Sequence, residues 1–565
     1  MVAAIAFLVG GWAMAKERKT ASDPRIGNLS KVRREQLADK VSQIRSYLLE
    51  ASAHDKNAAR LLSFVAELEK EVHSKKYGLI FEEHKERVDI ELEENIPVLK
   101  ENRKRFIDNV GEMNFLIEGD NLAALKLLEK THRGKIDLIY IDPPYNTGNK
   151  DFIYNDSFVD KTDGYRHSKW LSFMEKRLKL AKRLMSRNGI IYVSIDDNEQ
   201  AQLRMLMDDI WGENNFIGTI AWESKTKCQN TKTARKQFQR KWEYILLYKN
   251  KSGRYEFILE EVGYHTYDKK DNKGEYREKE IEQMSASGMR GRTTMVFPIL
   301  GVMPRKGFQW KYGKETVEEF SERGDLELID GKPSFRIRPE DDTAKCKPYW
   351  SLIDKSYGTG ESANTELKQI IGPNDFETVK PHRLIEYLIG RVSSSTNDSV
   401  ILDFFAGSGT TGHAVMRLNA EDGGKRKFIL VTNNENGICE KITYERLKRV
   451  IAKEKYAARL KYLKVDYVPI TEEGYWERAE ELLKYIRELV ELENGIDFAH
   501  DKSVAIVLTD NEAELFLKNE KRLSACKTLY RGHNVMFTAK MNAVLSESGI
   551  AVKTIPDYYY PELED

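Results

Sequence analysis

The feature that most constrains this chain is a rhythm of strand and helix. Ile136-Asp137-Leu138-Ile139-Tyr140-Ile141 is an almost unbroken apolar run of strand length. An amphipathic helix over 169–187 follows, with Trp170, Phe173, Met174, Leu178, Ala181, Leu184 and Met185 on one face and Asn188-Gly189 expected to cap its end. Ile190-Ile191-Tyr192-Val193-Ser194-Ile195 is the next strand, and the rhythm returns at Val400–Phe405 and Phe428–Thr432. Apolar strands separated by helices predict an α/β fold with a parallel sheet covered on both faces. Residues 223–375 break the pattern: they are rich in Gly, Lys, Arg and Tyr with few long periodic segments, which predicts a large insert.

At 565 residues the chain suggests three or four domains of about 150 residues each. With 41% hydrophobic and 10% aromatic residues it can build packed cores, which excludes wholesale disorder. Lys plus Arg is 91 and Asp plus Glu is 90, so any nucleic-acid binding must rest on a local arrangement of charge. Cys228, Cys346, Cys439 and Cys526 are scattered and form no CxxC pair, which excludes a disulfide scaffold and suits a reducing cytoplasm. Val2–Met14 is apolar but too short for a confident membrane span. It reads as a signal-peptide core ending at Ala13-Met14-Ala15, as a buried segment, or as untranslated sequence with translation truly beginning at Met14; the lack of a preceding positive charge favours the last two. Residues 31–75 carry Leu37, Val41, Ile44 and Leu48, then Leu61, Leu62, Val65 and Leu68, at helical spacing. After 466 come a charged helix, Glu472–Glu493, and strand candidates Val504–Leu508, Val535–Thr538 and Ala551–Ile555.

Two motifs carry chemistry. Asp142-Pro143-Pro144-Tyr145-Asn146-Thr147-Gly148 stands directly after the strand ending at Ile141, where open α/β sheets bind ligands. The prolines remove two N–H donors and stiffen a loop that offers a carboxylate, carbonyl oxygens and an aromatic ring. A flat heterocycle with an exocyclic amino group complements such a loop, with Tyr145 as stacking surface. The second motif is Val400 through Gly412, a strand running into a glycine turn that opens a helix. Gly407, Gly409 and Gly412 spell G-x-G-x-x-G; alone, this fits a nucleotide-like cofactor and a structural turn about equally.

Together the two motifs resemble the amino-group DNA methyltransferases that use S-adenosylmethionine, in the order that places the catalytic motif before the cofactor motif. Asp142, Pro143, Pro144 and Tyr145 resemble the catalytic motif. Asp403, Phe404, Phe405, Gly407, Ser408, Gly409 and Thr410 resemble the methionine-binding motif. Glu118-Gly119-Asp120-Asn121-Leu122 resembles the motif whose Asp contacts the adenine of the cofactor, although Asp120 alone reads as a helix N-cap. Lys380-Pro381 resembles the segment that closes over the cofactor. The family often places an acidic residue for the ribose after the strand Phe428–Val431; this chain reads Thr432-Asn433-Asn434-Glu435, which leaves Glu435 in that role. Ser194 through Glu199 and Gly212 through Phe216 are similar to the modification subunits of type III restriction systems, although the acidic run 196–199 by itself reads as a solvated helix entry.

The resemblance implies a Rossmann-like S-adenosylmethionine-dependent methyltransferase core with an inserted target recognition domain, a helical N-terminal region and a small C-terminal α/β unit. The expected boundaries are a helical region over 1–105, a catalytic half over 106–222, the recognition domain over 223–375, the cofactor half over 376–465 and the C-terminal unit over 466–565. It further implies a cytoplasmic DNA adenine-N6 methyltransferase acting on a flipped base in double-stranded DNA, a homodimer, and a separate helicase-nuclease partner, with no membrane association. Methylation at cytosine N4 and a standalone enzyme remain open, with Asp rather than Ser at 142 favouring adenine. More distant alternatives are a nicotinamide-dependent oxidoreductase, which leaves 142–148 unexplained, and an inactive DNA-binding module. No cysteine follows a proline as a carbon-5 cytosine enzyme would require, no GxxxxGK[ST] string occurs, and no Cys/His spacing suggests a metal site. Lys225, Lys227, Lys232, Arg235, Lys236, Arg240 and Lys241 form a run without acidic residues suited to phosphate neutralisation, or to an ordinary solvated loop. Arg290, Arg292, Arg305, Gln309 and Arg338 are further DNA contacts by composition.

Overall fold

The computed structural model describes residues 29–561 except 52–55, 74–79, 149–151, 155–156, 161, 229–234, 237, 252–255, 264, 288–290, 343–345, 393–397 and 471–474. The apolar run Val2–Met14 therefore lies outside the described residues. No helix among them is long and apolar enough to cross a membrane. The chain divides into two units, Met1–Phe81 and Glu82–Asp565. The first contains helices α1 (Leu29–Ala51) and α2 (Lys56–His73), linked by an Arg45–Glu69 ion pair.

The second unit is built on a ten-stranded sheet among the described residues. Its strands are β1 (Asn95–Glu101), β2 (Glu112–Glu118), β3 (Ile136–Ile141), β4 (Met185–Ile195), β5 (Phe216–Trp222), β6 (Glu243–Lys249), β7 (Leu352–Ile353), β8 (Val400–Asp403), β9 (Lys427–Thr432) and β10 (Ala458–Pro469). Their spatial order is β1-β10-β2-β9-β8-β3-β4-β6-β5-β7. From β10 to β4 all neighbours are parallel. β6 runs antiparallel to both β4 and β5, and β1 antiparallel to β10. Helices α3 (Asn121–His132), α4 (Arg166–Leu184), α5 (Gln200–Trp211), α6 (Gly360–Ile371), α7 (His382–Gly390), α8 (Thr410–Asp422) and α9 (Tyr444–Glu454) connect these strands. Leu138, Ile139, Ile190, Ile191, Ile401, Leu402, Phe428 and Leu430 are essentially inaccessible. Burying each such side chain contributes about 1.5–3 kcal/mol. This is the predicted Rossmann-like α/β core.

The sheet corrects several boundaries. Glu243–Lys249 and Leu352–Ile353 are core strands, although the sequence placed both in an insert over 223–375; the stretch between them lies outside the ten-stranded sheet. That stretch has its own four-stranded sheet, ordered Lys269–Asp271, Gly274–Glu280, Lys332–Ile337, Leu326–Ile329. Its own core is Ile281, Ile299, Trp310, Val317, Phe335 and Ile337. β1 lies in the main sheet, although 95–101 was assigned to the helical N-terminal region. Asn188-Gly189 does not cap α4: the helix ends at Leu184, Met185 turns extended with its N–H on the Ala181 carbonyl, and β4 starts there. The charged helix expected over 472–493 is two, Tyr475–Leu483 and α10 (Ile486–Asn494). The C-terminal sheet is parallel, with strands Val504–Val507, Thr528–Gly532 and Ala551–Ile555. Val535–Thr538 is not a strand; Thr528–Gly532 takes the middle position instead.

Candidate functional site

β3 and β8 are adjacent and parallel, and the chain leaves them toward opposite sides of the sheet, β3 leading to β4 and β8 to β9. The loops after both strands therefore open at a topological switch point, the crevice where such sheets bind ligands. Both sequence motifs lie there.

After β3, Asp142 accepts from the Tyr145 hydroxyl at Oδ1 (2.9 Å) and from Lys380 Nζ at Oδ2 (2.8 Å). The Tyr145 hydroxyl also reaches Glu243 Oε2 at 3.0 Å, and Lys380 lies 3.4 Å from the same oxygen. Lys380 stands 5.0 Å from the Tyr145 ring centroid, so one side of the ring faces an ammonium group. Burial raises the Asp142 pKa, against the pull of Lys380. Burial opposes the charge on Lys380, but Asp142 and Glu243 outweigh it and hold the lysine protonated. The loop is pinned further along by Trp170 Nε1, which donates to the Pro144 carbonyl at 2.7 Å.

After β8, the glycines are required by conformation and by space. Gly407 and Gly409 have φ of +48° and +74°. A Cβ on Gly412 would come within 2.9 Å of Leu447, so this third glycine serves the packing of α8 on its neighbours. Both oxygens of Asp403 are engaged inside the loop, Oδ1 by the Phe405 N–H (3.0 Å) and Oδ2 by Thr411 (2.5 Å), and burial lifts its pKa to about 7. Asp403 thus braces the turn. Beneath the loop, the buried Arg446 donates to Ser408 Oγ (3.2 Å) and Thr410 Oγ1 (2.7 Å). A helix N-terminus with an arginine beneath it suits a carboxylate-bearing ligand such as the methionine end of S-adenosylmethionine.

Lys380 joins the two loops. Its side chain holds Asp142, and its carbonyl accepts from Thr410 Oγ1 at 3.2 Å. Pro381 is the N-cap of α7. Asp120 caps α3, accepting from the Leu122 N–H at 2.7 Å, with its side chain partly open and 3.5 Å from Arg177. Asn121 donates to the Phe404 carbonyl at 3.0 Å and so ties β2's exit to the glycine loop. Glu435 is exposed and begins a short 3-10 turn beyond β9.

The basic run is less uniform than its sequence. Lys225, Lys227, Arg235 and Lys236 are exposed, whereas Arg240 pairs with Asp196 (2.8 Å) and Asp197 (3.0 Å) and Lys241 pairs with Glu223 (2.8 Å). Lys232 and Arg290 lie outside the described residues. Arg338 and Gln309 are not available to DNA: Arg338 is buried against Asp271 and Asp325, and Gln309 is buried. Arg292 and Arg305 are exposed. Sequence reasoning missed Glu243, whose signal was the apolar run 244–248 of a core strand inside the expected insert. It also missed Arg446, and a triad, Glu366, His382 and His413, whose ligand atoms lie within 4.8 Å of one another. The triad comes from three helices and so leaves no spacing in the sequence. Arg446 stands 3.3 Å from His413 and Arg417 3.5 Å from His382, so a cation there would face two guanidinium groups.

A family model described as DNA methylase matches residues 136–445, which spans both loops and the insert. The chain is a member of the DNA methylase family. The type III restriction-modification enzyme StyLTI Mod subunit of Salmonella typhimurium is 33% identical over 393 residues, covering 61% of this chain and 58% of that protein. The type II methyltransferase M.KpnI of Klebsiella pneumoniae is 36% identical over 346 residues, covering 56% and 79%. This DNA methylase thus spans just over half the length of the StyLTI subunit. Among solved structures, the PvuII DNA methyltransferase (cytosine-N4-specific) aligns with 62% of this chain and 93% of its own at 13% identity and a TM-score of 0.34. A DNA modification methylase from Thermus thermophilus complexed with S-adenosyl-L-methionine aligns over 62% and 99% at 16% identity and a TM-score of 0.30.

Proposed function

We propose that this DNA methylase is an adenine-N6 methyltransferase using S-adenosylmethionine, the modification and specificity subunit of a type III-like restriction-modification system. The observation that carries the reading is Lys380, which fastens the amine-accepting loop to the glycine loop through one residue. The Mod-subunit relatives support the type III assignment, and the four free cysteines suit work in the cytoplasm. A homodimer and a separate helicase-nuclease partner belong to the same proposal, as does the reading of bases by the insert.

The glycine loop, with Ser408 and Thr410, would hold the cofactor, aided by Asp120, Asn121, Phe405 and Glu435. When bound, S-adenosylmethionine supplies an activated methyl group on a sulfonium. The chain's own part is positioning and electrostatics. Adenine's amino nitrogen is a poor nucleophile because its lone pair is delocalised into the ring. Asp142 and the Pro143 carbonyl accept its two N–H bonds and draw the nitrogen toward a tetrahedral shape. Each carboxylate oxygen of Asp142 already accepts one hydrogen bond and has room for a second. Lys380 offsets part of the burial that disfavours charge on that carboxylate, which in its ionised form can stabilise the positive charge that grows on the nitrogen. The target base must leave the duplex to reach this corner, and the side of Tyr145 away from Lys380 offers it a stacking surface.

The test is methyl transfer from labelled S-adenosylmethionine to mixed-sequence duplex DNA with nucleoside analysis, and Asp142→Ala as control. N6-methyladenine formed by the wild type and absent with the variant is the expected result. N4-methylcytosine would replace the target base, and no transfer with cofactor and DNA both bound would refute the enzymatic reading.

A further inference from the structure

The acidic run Asp196-Asp197-Asn198-Glu199 is divided between two tasks. Asp196 is buried and Asp197 exposed, and both pair with Arg240. Glu199 turns inward and has no exposed surface. Its Oε1 accepts from Asn146 Nδ2 at 2.5 Å and lies 2.6 Å from His167 Nδ1. Asn146 follows Tyr145 directly, is itself fully buried, and has a φ of +57°, a left-handed conformation that Asn tolerates better than other residues with a Cβ. Its amide also donates to the Arg166 carbonyl at 3.2 Å.

We propose that Glu199 is a positioning residue for the catalytic loop. By clamping Asn146 in its left-handed turn, it sets the direction in which Asp142 and the Pro143 carbonyl face the base. The pins on the loop include Lys380 on Asp142, Glu243 on the Tyr145 hydroxyl, Trp170 on the Pro144 carbonyl, and Glu199 on Asn146. Two consecutive prolines contribute no N–H, so the loop relies on side chains to fix its exit. The Asn146 Oδ1 and Glu199 Oε2 atoms are buried with no hydrogen-bond partner among the described residues, a cost the fold accepts at this turn. The inference rests on the methyl-transfer reading.

The full chain carrying Glu199→Ala, Glu199→Gln, Asn146→Ala or Asn146→Gly is compared with wild type in kcat, KM for S-adenosylmethionine and Kd for DNA. Misplacing the acceptors should lower kcat of Glu199→Ala by about 100-fold, with KM and Kd within about twofold. Glu199→Gln keeps an acceptor for Asn146 and should retain most of the activity. Asn146→Gly adopts positive φ freely and should both turn over faster and melt higher than Asn146→Ala, the reverse of their order at an ordinary position. Wild-type kcat in Glu199→Ala overturns the proposal, as does a kcat loss matched by lost cofactor or DNA affinity, or Asn146→Ala equalling Asn146→Gly. Should Glu199→Ala fail to fold, Glu199→Gln and the Asn146 pair decide the matter. An inactive wild type would instead refute the methyl-transfer reading, and the melting order of the Asn146 pair would still decide whether the turn is held.

Discussion

Replacing Lys380 with methionine keeps its bulk and removes its charge. The ammonium lies 2.8 Å from Asp142 and 3.4 Å from Glu243, and all three side chains are at least four-fifths buried. At an effective dielectric of about 20, Coulomb's law gives these pairs about 6 and 5 kcal/mol of gross attraction. Desolvation of the three charges cancels part of that, and breaking a buried pair from one side typically costs about 3–5 kcal/mol. Lys380→Met should lose that much by chemical denaturation near pH 8. The loss should shrink toward pH 5. Burial already raises the Asp142 pKa above that of the unfolded chain, so its ionisation destabilises the fold as pH rises through the folded value, and removing the lysine moves that value higher still. Adding Glu243→Gln removes a like charge and should recover part of the loss in a double-mutant cycle. Methyl transfer by Lys380→Met should show its acid limb displaced to higher pH. A variant within about 0.5 kcal/mol of wild type at pH 8 would refute this electrostatic account.

Gly412→Val should cost about 1–3 kcal/mol by overpacking, since its Cβ would meet Leu447, Leu430 and Phe428 at 2.9, 3.1 and 3.2 Å; an unchanged denaturation midpoint would contradict this. Asp403 is lifted to about 7 by burial, so wild type should lose stability relative to Asp403→Asn as pH rises through neutrality, measured at pH about 5.5 and 8.5. Arg235→Ala and Lys236→Ala should each reduce the slope of log affinity for duplex DNA against log salt by about 1. Arg240→Ala and Lys241→Ala should change it less, because Asp196, Asp197 and Glu223 already hold those side chains.

The strands at the centre of the sheet were legible because a buried parallel strand is nearly all apolar, as in β3, β4, β8 and β9. β6 is also largely apolar, but it sits between polar loops, and nothing local tells a further core strand from a strand of an insert. Local chemistry placed Asp120 as an N-cap, Pro381 at a helix start and the glycines at a turn. Partnership was not legible. Lys380 was expected over the cofactor, yet its side chain goes to Asp142, more than two hundred positions away. Arg338 looked like a free cation because only the fold brings Asp271 and Asp325 onto it. Glu199 looked solvated because burial depends on what folds over a residue. Each of these assignments is made by long-range packing, which periodicity and composition do not record.

The stretch between Lys249 and Leu352 leaves the main sheet at one strand and returns at another, carrying its own core in between. A segment with a core of its own can change its outer surface while leaving in place the residues that hold Asp142, Lys380 and the glycine loop. With the insert reading bases as proposed, replacing this one segment would give a new address on DNA while the residues assigned to the chemistry stay in place. Such a replacement would then move the site of methylation in a single step.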